Sequence, residues 1–550
     1  MTASAATAIW CLSNLPSWRR YRRALEAPAA VQERLLLEHV RRNAGTVFGR
    51  AHGFEDVRCV ADYQRRVPLM DYEDYDPLVR RVARGEPGVL TAEPVKRLAV
   101  TSGSTAGPKL IPYTDSLHAE YARGVGPWIV DLYRQAPRLA GGPAYWSITP
   151  RLAAPAVPDA AIPVGFDEDS RYLGGLAHRL VARAMAVPDC VGDLRDHDAH
   201  RYVTLLLLMR ARGLRLVSVW HPSYLALLLD AMRAQWDRLL EDVRCGGATL
   251  AEPLPPRAAA ALTGRLRPDP SRARELRAAG PGACDRIWPK LGLVSCWGDA
   301  AASAPMEDIG RRLPRVRLQP KGLLATEAIV TLPFGGGQAR PLAIRSHFFE
   351  FIGRDGGVLL AHELEPGGTY EVVVTTGGGL YRYRLGDLVR VDGFVQRTPS
   401  LSFMGRAAQI SDLVGEKLHE AFVAGAIATV FRGRTAPSFA MLAPEETARG
   451  PAYTLFVEAD ELPPDLDARL ERALCANPQY ALAVGLGQLA PSRVVRIRSG
   501  FQAFAKRAVS RGQRLGDVKP SALDARGGWS GVFTPAEDRR DRRAAPEAAF

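Results

Sequence analysis

Thr369 to Val391 reads TYEVVVTTGGGLYRYRLGDLVRV. The runs TYEVVVTT and LVRV are rich in β-branched and aromatic residues and are punctuated by glycines, which predicts two strands of one sheet. Asp387, in the pair Gly386-Asp387, then sits in a turn between strands. An ionised carboxylate there can accept hydrogen bonds from both hydroxyls of a ribose. A Gly-Asp hairpin turn is common by itself, so its weight depends on what lies upstream.

Immediately upstream, LGLVSCWG, VRLQPKGLLATEAIVTLP and HFFEFIG continue a strand-rich block from Gly292. Ala325-Thr326-Glu327 falls at the end of one strand-like stretch. A carboxylate beside a bound triphosphate can hold Mg2+, which takes oxygen ligands and usually one or two protein carboxylates. Alone, Glu327 is equally well a single acid at a strand end. Further back, Thr101 to Lys109 reads TSGSTAGPK, between the strand-like runs RLAV and LIPYT. Gly103 and Gly107 let backbone N–H groups approach an anion, Ser102, Ser104 and Thr105 add hydroxyl donors, and Lys109 adds charge. The spacing is not that of a Walker loop. The three loops in this order point to a nucleotide site that none of them establishes singly.

The rest of the chain sets the frame. Residues 1 to about 95 read as helical; ALEAPAAVQERLLLEHVRRNAG spaces its apolar residues three and four apart and stops at Gly45. LRLVSVWHPSYLALLLDAMRAQWDRLLEDV reads as a strand, a turn at His221-Pro222-Ser223 and one long helix. Strands alternating with helices favour a mixed α/β sheet. A boundary is expected near Phe403 to Asp412, giving a large domain over 1–402 and a small α+β domain over 403–525. The remainder, 526–550, mixes charge with Gly, Pro and Ala and is expected to be disordered.

Composition excludes several functions. The net charge is +13, but only seven of 72 basic residues are lysines (Lys96, Lys109, Lys290, Lys321, Lys417, Lys506 and Lys519). Arginines are spread along the chain without a clustered face or interleaved aromatics, which argues against nucleic acid. No apolar run approaches the ~20 residues of a membrane span, and the N-terminus has no basic region before its apolar part. The seven cysteines are scattered and never form C-x-x-C, which argues for a reducing, cytoplasmic setting and against zinc. His197 and His200, in DHDAH, read as a surface turn.

TSGSTAGPK, ATE and YRYRLGD resemble the three nucleotide motifs of the adenylate-forming superfamily, which includes firefly luciferase and acyl-CoA ligases. Within it, VVTTGGGLYRYRLGDLVRV with HFFEFI resembles the GH3 family of acyl acid amido synthetases, and GFDEDSRYLGG, 165–175, resembles its bacterial members. The likeness covers roughly 30–520. It implies a luciferase-like fold with a large N-terminal and a small mobile C-terminal domain, and an enzyme that uses ATP and Mg2+ to join a carboxylic acid to an amino acid or other amine, as a monomer. Carried over by position, Ser102 and Thr105 touch ATP phosphates, Ala325, Thr326 and Glu327 lie at AMP and Mg2+, and Asp387 lies at the ribose. Arg406 falls at the interdomain hinge, Lys417 near the nucleotide, and Lys519 is the lysine that swings onto the adenylate. Tyr145, Phe166, Tyr172 and His221 would contact the acid, although His221 equally suits a helix cap. Two departures stand out: Leu323 replaces the usual Tyr four residues before the Glu, and Asp-Val-Lys replaces Gln-Tyr-Lys at Lys519. An acid–CoA or other thiol ligase using the same first step, and a binding protein without turnover, remain the alternatives.

Overall fold

The computed structural model describes residues 2–101, 109–147, 160–165, 182–406, 410–411, 413–414, 416, 418–511, 513 and 518–536. The chain divides into two compact units, Met1–Asp299 with Ile309–Met404, and Ala300–Asp308 with Gly405–Phe550. Among the described residues no helix is long and apolar enough to cross a membrane.

The first unit opens with helices α1 (Ala3–Ala24), α2 (Pro28–Asn43), α3 (Val47–Ala51), α4 (Val60–Arg66) and α5 (Tyr72–Ala83). The helix expected to run through Ala24–Gly45 is broken: Pro28 opens α2, where a missing N–H costs nothing. The strands β1 (Arg97–Thr101) and β2 (Lys109–Tyr113) form an antiparallel hairpin with Thr101 opposite Lys109. They lead into α6 (Asp115–Gln135), capped by the Thr114 hydroxyl. A four-stranded parallel sheet follows, in the order β3 (Ala144–Trp146), β4 (Leu216–Ser218), β5 (Leu293–Cys296), β6 (Arg317–Pro320). Helices cross between its strands, as parallel pairing requires. The long helix expected after β4 is two, Pro222–Ala234 and Trp236–Cys245, because Gln235 leaves the helical conformation. His197 and His200 open a helix capped by Asp196, and His200 is buried, so the expected surface turn is corrected.

A five-stranded sheet completes this unit, ordered β11 (Thr398–Arg406), β10 (Tyr383–Val395), β9 (Thr369–Thr375), β7 (Phe348–Ile352), β8 (Val358–Leu360). The β9–β10 pairing slips between Arg384 and Leu388, and Gly386 takes φ +75° there. Asp387 therefore lies at a bulge within β10 rather than in a turn between strands.

In the second unit, β12 (Ile410–Ser411) pairs with β13 (Leu418–His419), and a four-stranded sheet runs β14 (Phe439–Thr447), β15 (Gly450–Glu458), β16 (Ala490–Arg498), β17 (Thr534–Pro535). Helices Glu420–Val430 and Leu466–Leu474 pack Val423, Ile427, Leu470 and Leu474 into its core with Leu442 and Leu455. Residues 526–536 depart from the expected disorder. Trp529 is buried between Phe504 (centroids 5.4 Å apart, 11°) and Phe533 (5.2 Å, 18°), and burying an indole offsets much ordering entropy. Residues 537–550 lie outside the described residues.

Candidate active site

Tyr72, the first residue of α5, ties that helix to the strand after the first motif. Its hydroxyl accepts from Leu110 N at 2.7 Å, fixing it to β2. The Lys109 ammonium lies 5.2 Å from the centre of its ring. Burial pushes the Tyr72 phenol up, partly offset by its bond to Leu110, and Asp76 and Glu327 also act on its charge. Met70, two residues earlier, is stitched to the third motif: its N–H donates to Arg382 O (3.0 Å) and its carbonyl accepts from Arg384 N (2.8 Å).

The second motif is a tight turn. Ala325 N–H donates to Ala328 O at 2.9 Å, and the Tyr121 hydroxyl of α6 lies 2.5 Å from Ala325 O and 2.8 Å from Thr326 O. Glu327 is mostly buried on this turn. Leu323 packs on the main core and its N–H donates to the Thr331 hydroxyl.

The three glycines 377–379 are a docking surface. A Cβ on Gly377 would sit 2.7 Å from Ser116 Cβ, and one on Gly378 would sit 2.7 Å from Pro112 O. The glycine turn thus seats itself on β2 and the start of α6, and Thr114 Oγ1 donates to Gly377 O (2.8 Å). Arg382, at φ +49°, is buried and gives its guanidinium to Glu350 (3.0 Å) and to the carbonyls of Gln64 and Val67. Asp387 is buried at the β10 bulge.

Beneath these motifs lies a cluster the sequence did not reveal. Glu120 of α6 is fully buried; His347 Nδ1–H donates to its Oε2 (2.8 Å), His39 Nε2 lies 2.9 Å from its Oε1, and Gly377 N–H donates to it (2.9 Å). Ile329 N–H donates to His347 Nε2 (3.1 Å), which fixes the tautomer. Burial pushes the His347 imidazole down, opposed by the Glu120 carboxylate beside it. Burial alone would raise the Glu120 carboxyl, yet His347 and His39 hold it well below the usual range. The cluster joins Ile329, just past the Ala-Thr-Glu turn, to the glycines of the third motif.

The carboxyl edge of the parallel sheet is the usual ligand crevice of open α/β sheets, and Tyr145 and His221 fall there. Tyr145 Oη lies 3.5 Å from Tyr224 Oη, and His221 caps the helix after β4, its Nδ1 accepting from Ser223 N at 3.3 Å. The same edge carries Trp220, Trp297 and Lys321, none of which the sequence reading assigned. The signal was present as a repeat, Val-Ser-Val-Trp at 217–220 and Val-Ser-Cys-Trp at 294–297.

Within the second unit, Glu420 accepts from Ser521 Oγ (2.5 Å) and Ala522 N (3.1 Å). Burial raises its carboxyl, opposed by those bonds and by Arg406. Arg406 and the segment after Lys519 thus share one buried acid, while the Lys519 side chain is exposed. Ser102, Gly103, Ser104, Thr105, Gly107, Phe166, Tyr172 and Lys417 lie outside the described residues. Among the described residues there is no group of three or more His, Cys, Asp or Glu placed to hold a metal.

A hairpin-borne loop, an Ala-Thr-Glu turn and a bulged Asp strand on a mixed α/β unit, followed by a smaller α+β unit, form the architecture of the adenylate-forming enzymes. Family models match three consecutive stretches: the GH3 family N-terminal domain over 18–310, the central domain over 341–406 and the C-terminal domain over 418–524. The chain belongs to the GH3 family. It is 26% identical to indole-3-acetic acid-amido synthetase GH3.8 of Oryza sativa subsp. indica, across 89% of this chain and 87% of that protein. It is 26% identical to jasmonoyl–L-amino acid synthetase JAR6 of Nicotiana attenuata, across 68% and 69%. Its fold matches the AtGH3.15 acyl acid amido synthetase in complex with 2,4-DB at a TM-score of 0.82, with 19% identity over 94% and 93% of the chains. These named relatives are plant proteins or plant-type structures, and the finer expectation of a bacterial-type member draws no support from them.

Proposed function

We propose that this chain is an ATP-dependent acyl acid amido synthetase. The acid's carboxylate oxygen attacks the α-phosphorus of ATP, the bond to pyrophosphate breaks, and an acyl-AMP forms. The amine nitrogen of an amino acid then attacks the acyl carbon, AMP leaves with the C–O bond's electrons, and the nitrogen loses a proton. Adenylation is needed because a carboxylate repels nucleophiles and oxide is a poor leaving group. The protein's share is positioning and neutralisation of phosphate charge.

The observation that carries this reading is that Met70 to Tyr72 joins Lys109 of the first motif to the strand of the third, with Glu327 near enough to act on the Tyr72 phenol, in a chain of this family. In it, Ser102, Gly103, Ser104, Thr105, Gly107 and Lys109 bind phosphates, Ala325 and Thr326 border AMP, and Asp387 grips the ribose. Glu327 suits Mg2+: one buried carboxylate on a braced turn, with phosphate oxygens completing the shell, is the usual arrangement for this ion. When bound, Mg2+ supplies charge neutralisation at the phosphates. Arg406 acts at the hinge of the second unit, Lys417 stands near the nucleotide, and Lys519 reaches the adenylate. Tyr145, His221, Phe166 and Tyr172 border the acid.

Hydroxylamine trapping tests the proposal. Acid-dependent pyrophosphate release with hydroxamate formation is expected from at least one member of a panel of aryl and aliphatic acids; silence across the panel would overturn it. A thiol ligase shares the first half-reaction, and a product assay offering amino acids against CoA separates the two.

A further inference from the structure

Residues paired across a sheet point to the same face, and so do residues two apart along a strand. Register across the parallel sheet aligns Trp146, Ser218, Ser295 and Gln319 in one row. Two positions further on, past the carboxyl ends of β4, β5 and β6, come Trp220, Trp297 and Lys321. Trp128 of α6 packs on this face: its indole N–H donates to Gln319 Oε1 (3.2 Å), and its ring stacks on Trp146 (6.0 Å, 26°).

Lys321 is 6% exposed. Its ammonium lies 4.4 Å from the centre of the Trp220 ring and 6.0 Å from that of Trp128, and Trp220 leans on Trp297 at 5.5 Å. Its backbone N–H donates to Cys296 O (2.7 Å). Among the described residues its ammonium makes no hydrogen bond to a side chain and no ion pair, and the Cys296 side chain lies close enough to act on its charge. Two further donors of the same rows, Ser295 Oγ and Trp146 Nε1, are buried without a partner. An ammonium carries three N–H donors, and burying them unpaired is costly. Burial accordingly pushes the Lys321 ammonium down to about 7. Indole faces steady a cation but accept no hydrogen bond in the ring plane. What is missing is an acceptor oxygen, and the flat walls suit a flat apolar body attached to it.

We propose that Lys321 is the residue that recognises an oxyanion of the acyl substrate, seated between Trp220 and Trp128 with Ser295 and Trp146 as supporting donors. This rests on the ligase reading for the identity of the ligand, and it goes beyond that reading in assigning a residue and its chemistry. The oxyanion has two sources, the reacting carboxylate common to all acids or a second oxygen on the ring.

Isothermal titration without ATP, using benzoate and hydroxybenzoates as probes, tests the site apart from turnover. Lys321→Met keeps the volume and removes the charge. A loss of about 10- to 100-fold in affinity is expected, the usual worth of a hydrogen bond to a charged group. Loss for every acid assigns the carboxylate; loss confined to the hydroxy acids assigns the ring oxygen. Lys321→Arg should retain part of the affinity. In turnover, the acid KM should rise with the ATP KM unchanged, and an unchanged circular dichroism spectrum shows that the fold is intact. Acid affinities equal in wild type and Lys321→Met, or no binding of any acid to the wild type, would overturn the proposal. Acid binding that depends on Lys321 without pyrophosphate release would instead overturn the ligase reading alone.

Discussion

Glu120 and Trp128 lie on the same helix, α6, and each helps enclose a buried ionisable group of opposite kind. Around Glu120 both oxygens accept hydrogen bonds, from His347 and Gly377, and His39 Nε2 lies 2.9 Å from Oε1. Around Lys321, beside Trp128, the ammonium meets two ring faces and makes no side-chain hydrogen bond among the described residues. Burial costs both groups alike. In the first case the fold itself supplies the compensation, so the charge holds structure together. In the second the compensation is absent from the fold, which is the mark of a group kept for something that binds.

The contrast breaks if the two groups respond alike to removal. Glu120→Ala leaves Gly377 N–H and His347 Nδ1–H unpaired in the core, and should cost about 4 kcal/mol of stability, read by urea unfolding; a loss below about 1 kcal/mol would remove its bracing role. Lys321→Met should have the opposite sign. With a folded value of about 7 against an ordinary 10.5, the charged lysine penalises the fold by about 5 kcal/mol below pH 7. Between pH 7 and 10.5 the unfolded chain binds the extra proton, so wild-type stability rises with pH across this window relative to the Met variant. Parallel unfolding curves of the two proteins from pH 6 to 10 check both sign and slope.

Two smaller effects sharpen the comparison. Asp387→Ala should weaken ATP binding by about 10-fold, the worth of a charged acceptor on the ribose; unchanged ATP affinity by equilibrium dialysis would take Asp387 out of the site. His347 has its imidazole depressed by burial, so the unfolded chain takes up a proton that the folded chain refuses. Stability should therefore fall as pH drops below 6.5, and His347→Gln should flatten that limb of the unfolding profile.

Much of the fold was legible because its signals are local. The runs RLAV, LIPYT and TYEVVVTT became strands, whereas the helix start at Pro28 was passed over because the apolar spacing continues across it. The bulge at Asp387 was missed because a hairpin turn and a bulge both use Gly followed by a polar residue; only the β9 register separates them. Glu120 was invisible in mid-helix, since its partner His347 lies 227 positions away. Lys321 carries no local signal of a role, because its meaning depends on two neighbouring strands and helix α6 bringing Trp220, Trp297 and Trp128 around it. Over 526–536 the expected disorder gives way to the burial of Trp529, which the charge-rich composition around it conceals.

That tryptophan has a spectroscopic consequence. The chain holds nine tryptophans, and Trp529 is the single one that falls in the second unit. It is clamped by Phe504, Phe533 and the Arg507 guanidinium, 4.1 Å from its ring. Ring currents from two stacked neighbours displace a fluorine resonance strongly. Protein grown on 5-fluorotryptophan should therefore give one shifted 19F line for this unit, assignable by Trp529→Phe, and its position would follow the unit through each half-reaction without any added label.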